Sequence, residues 1–190
     1  MKKYILTIDQ GTTSTRAILF DHKANTIGIY QMEFTQICPK SGYVEHNADE
    51  IYQTVLECIK NVIINASIEP EEIDSIAITN QRETTVAFGF DGHPLANAIC
   101  WQSRQSQKIC DDLIARGYED MIYQKTGLHI NPYFSASKIR YLIDNNQNIK
   151  DLYDAGKVLF GTMDTYILYR LTNGASFKTD ATNASRTMLY

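Results

Sequence analysis

The sequence lacks several features that would place it quickly in a functional class. Its 4 cysteines include no C-x-x-C pair and its 4 histidines are scattered, so no zinc-ligand spacing is present. No segment approaches the roughly 18 consecutive apolar residues of a membrane span, and the apolar run at residues 4–8 is too short for a signal peptide. Lys and Arg number 18 against 22 Asp and Glu, without the basic excess of nucleic-acid-binding proteins. These absences predict a soluble, cytoplasmic protein without a zinc site, a nucleic-acid partner or a membrane span.

The composition that is present is typical of a folded domain. Of the 190 residues, 44% are apolar and 21% are charged, with 10 glycines, 4 prolines and a net charge of −4. Disordered chains carry fewer apolar residues and more net charge. A chain of this length buries roughly 70% of its unfolded surface, which is enough for one complete core or for part of a larger one.

The first 80 residues predict a sheet with one long helix. Apolar runs at residues 4–8 and 17–20 and alternation at 26–34 indicate three strands joined by short polar turns, as in an antiparallel meander. Apolar residues recur at three- and four-residue steps over 47–66, which is typical of an amphipathic helix. The apolar run at 73–79 predicts a buried strand.

The remaining residues predict a hairpin followed mainly by helices. Residues 84–90 and 95–100 flank Asp91-Gly92, whose glycine suits the positive φ of a hairpin turn. Helices are predicted at 103–116, 135–145 and 164–171, separated by polar turns such as residues 145–148. Together the elements predict an α/β fold with a mixed β-sheet flanked by helices.

One segment that could carry chemistry is the turn after the first strand, residues 9–16. A glycine turn directs successive backbone N–H groups into a concavity that suits phosphate oxygens, and hydroxyl donors follow at Thr12, Thr13 and Ser14. Asp9 at the strand end could hold Mg²⁺, and the planar guanidinium of Arg16 could neutralise phosphate. The pattern is neither a Walker loop nor a Rossmann loop. A polar hairpin turn that binds no ligand explains the same residues.

A second segment, residues 79–85, places Arg82 beside Glu83 between two apolar runs. Successive strand residues point to opposite faces, so both can bind one small molecule only if the backbone bends there. A guanidinium donor and a carboxylate acceptor suit a vicinal diol. Trp101, the only tryptophan, could form an apolar wall against carbon atoms, and Tyr133 carries a hydroxyl on a proline-stiffened turn. An ordinary solvated turn and simple packing remain open as explanations.

Six segments of the chain carry a family resemblance when they are taken together. They lie at residues 9–16, 79–85, 101–104, 127–135, 160–165 and 182–189. In this order they resemble the glycerol kinases, which belong to the FGGY carbohydrate kinases within the actin-like ATPase superfamily. The Thr-Asn-Gln-Arg-Glu-Thr-Thr run is typical of the glycerol enzymes rather than of pentulose kinases. The resemblance implies a ribonuclease H-like/actin-like ATPase domain that uses ATP and Mg²⁺ to phosphorylate glycerol to sn-glycerol 3-phosphate in glycerol catabolism.

The resemblance also implies roles for individual residues. Arg82, Glu83 and Tyr133 match positions that bond the hydroxyls of glycerol, and Trp101 matches the residue that faces its carbon atoms. Asp9 matches the carboxylate that organises Mg²⁺. Residues near the nucleotide phosphates are matched by Thr12, Thr13, Ser14 and Arg16.

The family pattern is longer than this chain. In that pattern the second, ATP-binding domain and the catalytic base, an aspartate, lie beyond Tyr190. Residues 1–190 are therefore expected to be most of the N-terminal, substrate-binding domain, incomplete at the C-terminus and inactive alone, while the full-length protein is expected to be a homo-oligomer.

Other functions also fit the sequence. A pentulose or other polyol kinase, and a non-catalytic polyol- or nucleotide-binding module that ends here naturally, are the two alternatives. A structural protein of the actin-like superfamily fits less well, because it would leave the Arg82-Glu83 pair, Trp101 and Tyr133 without a role.

Overall fold

The structure is a computed structural model that describes residues 2–190, and they form two compact units. The first unit extends to Thr35 and resumes at Asp49–Gln81, and the second comprises Gln36–Ala48 and Arg82–Tyr190. No helix among the described residues is long and apolar enough to cross a bilayer. In chain order, with a 3-10 turn at Pro70–Glu72, the elements are β1 (Tyr4–Gln10), β2 (Ser14–Asp21), β3 (Thr26–Glu33), β4 (Glu45–His46), α1 (Ala48–Ala66), β5 (Ile73–Asn80), β6 (Thr85–Phe88), β7 (Ala98–Ile99), α2 (Gln107–Ala115), α3 (Glu119–Thr126), α4 (Ser135–Asn145), α5 (Gln147–Asp154), β8 (Leu159–Thr162), α6 (Met163–Leu171) and α7 (Ala181–Ala184).

The first unit is a four-stranded sheet with one helix packed on it. Its strand order is β3-β2-β1-β5, with β1, β2 and β3 antiparallel and β5 parallel to β1, so the predicted meander and mixed sheet are confirmed. Helix α1 packs Cys58 and Val62 against Leu6 and Leu19 of the sheet, and all four are fully buried. Gly28 permits this close approach, because a Cβ there would lie 3.3 Å from Cγ2 of Val62.

Strand β5 differs from its prediction in burial. The strand forms where it was expected, but most of its residues are half-buried or exposed, and Ile76 is 51% exposed. Within the described residues β5 pairs with β1 alone, at one side of the sheet. An apolar run cannot distinguish a central strand from such an outer strand, because both have the same sequence signature.

The second unit is built on a different, wholly antiparallel sheet of order β4-β7-β6-β8. The predicted hairpin forms from β6 and β7, and Gly92 has the expected positive φ, 79°. Helices α4 and α5 cover the sheet, and their side chains pack in a core with those of β6 and β7. That core consists of Ala87, Ile99, Leu142, Ile143 and Ile149.

The helices of the second unit agree with the sequence in part. Helix α4 has the predicted bounds, and α2 begins at Gln107 rather than 103. Helices α3 and α5 and strands β4 and β8 were not predicted. The polar turn predicted at 145–148 was wrong in its second half, because the Asn146 side chain accepts a hydrogen bond from Ile149 N at 3.1 Å and starts α5. Asparagine is common both in turns and at helix N-caps, so composition alone does not separate the two.

Candidate functional site

The turn between β1 and β2 in the first unit is tight. Gly11 N donates a hydrogen bond to Ser14 O at 2.9 Å, which places Thr12 and Thr13 at the tip. Thr12 is half-buried and Thr13 is exposed. Backbone N–H groups and hydroxyls at such a tip are donors that can reach phosphate oxygens.

Asp9 and Arg16 flank this turn as direct register partners on β1 and β2. Nη1 of Arg16 lies 3.5 Å from Oδ2 of Asp9, and both side chains are 40% exposed. Arg16 also donates through Nε to Oε1 of Gln31 at 3.1 Å, and Gln31 donates to Oγ of Ser14. The structure therefore brings Asp9, Ser14 and Arg16 to one end of the hairpin, where a hard carboxylate oxygen fits Mg²⁺ and a guanidinium fits an anion.

Two buried glutamines, Gln10 and Gln81, are hydrogen-bonded to each other next to the turn. The sequence analysis did not single them out. Gln81 N donates to Gln10 O at 2.7 Å, and the Gln81 side-chain amide donates to Oε1 of Gln10 at 3.2 Å. Gln10 in turn donates to the carbonyl of Gly11 at 2.7 Å. Leu6, Ile8 and Gln10 alternate along β1 and all face the interior. A polar residue at a position where the alternation predicts an apolar one was the signal that could have identified Gln10.

In the second unit the backbone bends sharply at Glu83. Thr84 N donates to Arg82 O at 2.7 Å, closing a three-residue γ-turn in which Glu83 has φ 62°. Positive φ is strained for a residue other than glycine and persists only where surrounding contacts enforce it. The hydroxyls of Ser135 and Thr85 supply such contacts, since both donate to Glu83 O, at 3.2 and 3.1 Å. The bend that joint binding by Arg82 and Glu83 would require is therefore present.

The Glu83 side chain is buried and paired. Its carboxylate is only 3% exposed and accepts a hydrogen bond from Nε of Arg186 at 2.6 Å. This bond raises the pKa of Arg186 above its usual value. The same guanidinium lies over the rings of Tyr133 and Phe134, at 5.4 and 5.0 Å from their centroids. Arg186 was not singled out from the sequence, although it lies within one of the six family segments.

Trp101 and Tyr133 complete the cluster. Their ring centroids are 5.4 Å apart in an edge-to-face arrangement. Trp101 N donates to Oγ1 of Thr84, next to the γ-turn, at 3.1 Å. Three of the four predicted pocket residues, Glu83, Trp101 and Tyr133, therefore lie in one contact network. Arg82 is exposed, outside this network; its positive charge adds to the hydrogen bonds from Asn183 that lower the pKa of Asp180.

A buried lysine lies beneath the same network. Lys138 is completely buried, and its ammonium donates to the backbone carbonyls of Tyr133 and Phe134. Desolvation lowers the pKa of Lys138 to about 7, and the nearby carboxylate of Glu83 partly opposes this shift. Its position on the first turns of α4 was predicted, but neither its burial nor its contacts could be.

Comparison with known proteins identifies the family to which the chain belongs. A sequence model described as the FGGY family of carbohydrate kinases, N-terminal domain, matches residues 4–190. This chain belongs to that family. The resemblance stated from the six segments is thereby confirmed at the level of the family, together with the actin-like ATPase fold class.

Individual FGGY relatives are considerably longer than this chain. A glycerol kinase from Enterococcus casseliflavus is 53% identical over 190 residues, and one from Desulforamulus reducens is 50% identical. In both comparisons 100% of this chain is covered but only 38% of the relative.

Solved structures give the same picture. The structure of Plasmodium falciparum glycerol kinase with ADP superposes with a TM-score of 0.90 at 35% identity, covering 98% of this chain and 37% of that one. A ligand-bound xylulose kinase from Lactobacillus acidophilus superposes with a TM-score of 0.86 at 26% identity, covering 98% of this chain and 36% of that one.

Proposed function

We propose that this chain is the polyol-binding part of a glycerol kinase, which transfers the γ-phosphoryl group of ATP to glycerol and gives sn-glycerol 3-phosphate and ADP. The network of Glu83, Trp101 and Tyr133 at a strained γ-turn carries the proposal. The identity of about half of all residues with glycerol kinases supports it. Under this proposal residues 1–190 are most of the substrate-binding domain, and the ATP-binding domain lies outside this chain.

The chemistry of the network fits a small polyol. The carboxylate of Glu83 accepts hydrogen bonds, the exposed guanidinium of Arg82 donates them, and the phenol of Tyr133 does both. The Trp101 ring supplies an apolar wall for the carbon chain. A site that bonds each hydroxyl rejects analogues that lack one, because a buried polar group is then left unpaired.

The turn of the first unit fits the nucleotide phosphates and Mg²⁺. Asp9 would hold the metal through water or directly, since Mg²⁺ prefers carboxylate and water oxygens, and bound Mg²⁺ would neutralise phosphate charge. The residues that would contact the phosphates are Thr12, Thr13, Ser14 and Arg16. The exposed Asp9–Arg16 pair is weak, so both side chains are free to turn toward a ligand.

The proposal assigns no catalytic base to these 190 residues. Glu83 is occupied by Arg186, and Asp164 accepts hydrogen bonds from the hydroxyls of Thr162 and Thr179 at 2.5 and 2.7 Å. Both carboxylates therefore have structural partners.

The proposal also includes a location in the cytoplasm and a homo-oligomeric state. Fractionation of cells would test the first, and light scattering on the purified protein would test the second.

The test is a kinase assay on the protein expressed from its complete natural reading frame, with ATP and Mg²⁺. Release of ADP should be fastest with glycerol, slower with dihydroxyacetone and slowest with xylulose. Faster turnover of xylulose would assign the protein to the pentulose kinases instead. Glycerol binding without any turnover would make it a non-catalytic binding module.

An Arg82→Ala variant is the control for the proposed pocket. Loss of the guanidinium donor should weaken glycerol binding about tenfold or more. Unchanged binding would show that glycerol does not occupy the site described above. Arg116→Ala, which removes another exposed arginine of the same unit outside the six segments, should bind glycerol as the unmodified protein does.

A further inference from the structure

Glu83 needs neighbours both for its buried carboxylate and for its backbone conformation. A buried carboxylate loses most of its hydration, which costs several kcal/mol unless a cation and hydrogen bonds replace the water. Its backbone is also held at φ 62°, which favours other conformations in the absence of constraint. The residue that carries the proposed acceptor of the pocket therefore depends on its neighbours both for partners of its buried carboxylate and for its backbone conformation.

Arg186 is the neighbour that partners the carboxylate, whereas Ser135 and Thr85 hold the backbone through the Glu83 carbonyl. Its Nε bonds Oε1 of Glu83 at 2.6 Å, and its guanidinium plane also covers the Tyr133 ring. One side chain thus contacts two proposed pocket residues, and one of them, Tyr133, packs edge-to-face against Trp101. The Arg186 side chain is 37% exposed, so the far side of the guanidinium faces solvent.

The backbone around Arg186 is itself anchored. Arg186 N donates to Asn183 O at 3.0 Å in the turn that follows α7, and Ala136 N of α4 donates to Thr187 O at 2.8 Å. The second bond ties the arginine segment to the helix whose Ser135 holds the Glu83 carbonyl. The position of the guanidinium is thus set by the fold and not by a flexible tail.

The other nearby cation is less suited to the same role. Lys138 bonds backbone carbonyls and makes no hydrogen bond to the Glu83 carboxylate among those described, and its charge is only partial near neutral pH. Arginine stays charged at any physiological pH.

We propose that Arg186 is a positioning residue of the polyol site, which pairs with the Glu83 carboxylate and aligns it and fixes the Tyr133 ring against Trp101. This inference rests on the proposed function for its substrate, glycerol, but the geometry it describes exists without ligand. It assigns to Arg186 a task distinct from contact with the reacting atoms.

The experiment compares Arg186→Gln with Arg116→Gln in the 190-residue chain. Arg116 is a matched control, because its guanidinium also lies over a tyrosine, Tyr118, at 4.9 Å, within the same unit. Two quantities are measured: glycerol affinity by ligand-observed NMR, and acrylamide quenching of Trp101, the only tryptophan, without ligand.

Arg186→Gln should weaken glycerol binding at least about tenfold and raise the quenching constant about twofold, and Arg116→Gln should change neither. Arg186→Lys, which keeps the charge without the planar stacking, should bind glycerol with intermediate affinity.

The outcomes separate this inference from the proposed function. If the unmodified chain does not bind glycerol, the proposed function fails for this chain, and the quenching comparison alone decides the role of Arg186. If Arg186→Gln matches the unmodified chain in both measurements, the inference is overturned. If Arg186→Gln does not fold, the double variant Glu83→Gln/Arg186→Gln should restore folding, because no buried carboxylate is then left without its arginine partner. Failure of that double variant to fold would show a purely structural role and would also overturn the inference.

Discussion

The two units each contain one Arg–carboxylate pair at a proposed site, and the pairs have opposite surroundings. Asp9 and Arg16 are both 40% exposed and 3.5 Å apart, whereas Glu83 is 3% exposed and 2.6 Å from Arg186. Water screens the first pair, so it contributes little to stability and can exchange its partner for a ligand. In the second pair the carboxylate is shielded from water, although the Arg186 side chain is 37% exposed, so screening is weaker and the Glu83 side chain is held in a fixed arrangement. Under the proposed function, the difference distinguishes an exposed turn that would bind phosphate in one unit from a preformed polyol site in the other.

The same substitution in both units gives the largest expected contrast. Arg186→Gln should lower the free energy of unfolding by about 2–3 kcal/mol, because it leaves a buried carboxylate unpaired. Arg16→Gln should lower it by less than about 1 kcal/mol. Hydrogen exchange, read separately for amides of each unit, measures both effects. Equal losses in the two variants would remove the distinction drawn between the pairs.

The pH dependence of stability tests the buried charge of the second unit more finely. Burial lowers the pKa of Lys138 from 10.5 to about 7, so its protonated form is penalised in the folded state. The penalty is complete below pH 7 and is relieved as the pH rises toward 10.5, so this residue makes stability increase with pH in that window. The slope should be at most about 1.4 kcal/mol per pH unit.

Urea unfolding followed through Trp101 between pH 7.0 and about 8.0 checks this slope, because the buried thiols Cys100 and Cys110 have a pKa of about 8.5 in the unfolded chain and oppose the increase at higher pH. Lys138→Met should flatten the profile, and Lys125→Met, on the surface of α3, should leave it unchanged. A profile that keeps its slope in Lys138→Met would assign the dependence to another group.

The smallest expected change in stability comes from Asp9→Asn. Because its pair with Arg16 is exposed, the free energy of unfolding should change by less than about 0.5 kcal/mol. Phosphorylation of glycerol by the protein from its complete reading frame should nevertheless fall by about 100-fold or more, since a group that organises phosphate charge is lost. Asp74→Asn, which removes a similarly exposed carboxylate paired with Lys2 at 3.6 Å, is the control and should retain activity. Full activity in Asp9→Asn would exclude Asp9 as the metal-organising residue.

Local sequence signals predicted much of the fold. The meander of β1 to β3, helix α1, the β6–β7 hairpin and helix α4 follow from apolar periodicity and from a glycine with positive φ. Helix α3 was missed because it is short and mostly polar, which leaves little periodic signal. Helix α5 carries Ile149, Leu152 and Tyr153 at helical spacing and was missed because its first residues were assigned to a polar turn. The exposure of β5 was missed because burial depends on which strands and helices lie beside it, and the sequence of one strand does not contain that information.

The proposed site divides in the same way. Residue types and their order along the chain, read with the family resemblance, were sufficient to single out Asp9, Arg82, Glu83, Trp101 and Tyr133. The partners of those residues were not predictable, because Arg186 lies 103 positions from Glu83 in the sequence. Gln81 likewise meets Gln10 across 71 positions.

The sequence by itself therefore determined the family, the local elements and the chemistry available at two turns, since each depends on residue identity over a few neighbouring positions. Only the tertiary structure decided which charges are buried, which cation balances Glu83 and why Lys138 loses affinity for its proton. Burial and pairing depend on segments that folding brings together from distant parts of the chain, and the energy of a charge depends on how much water those segments exclude.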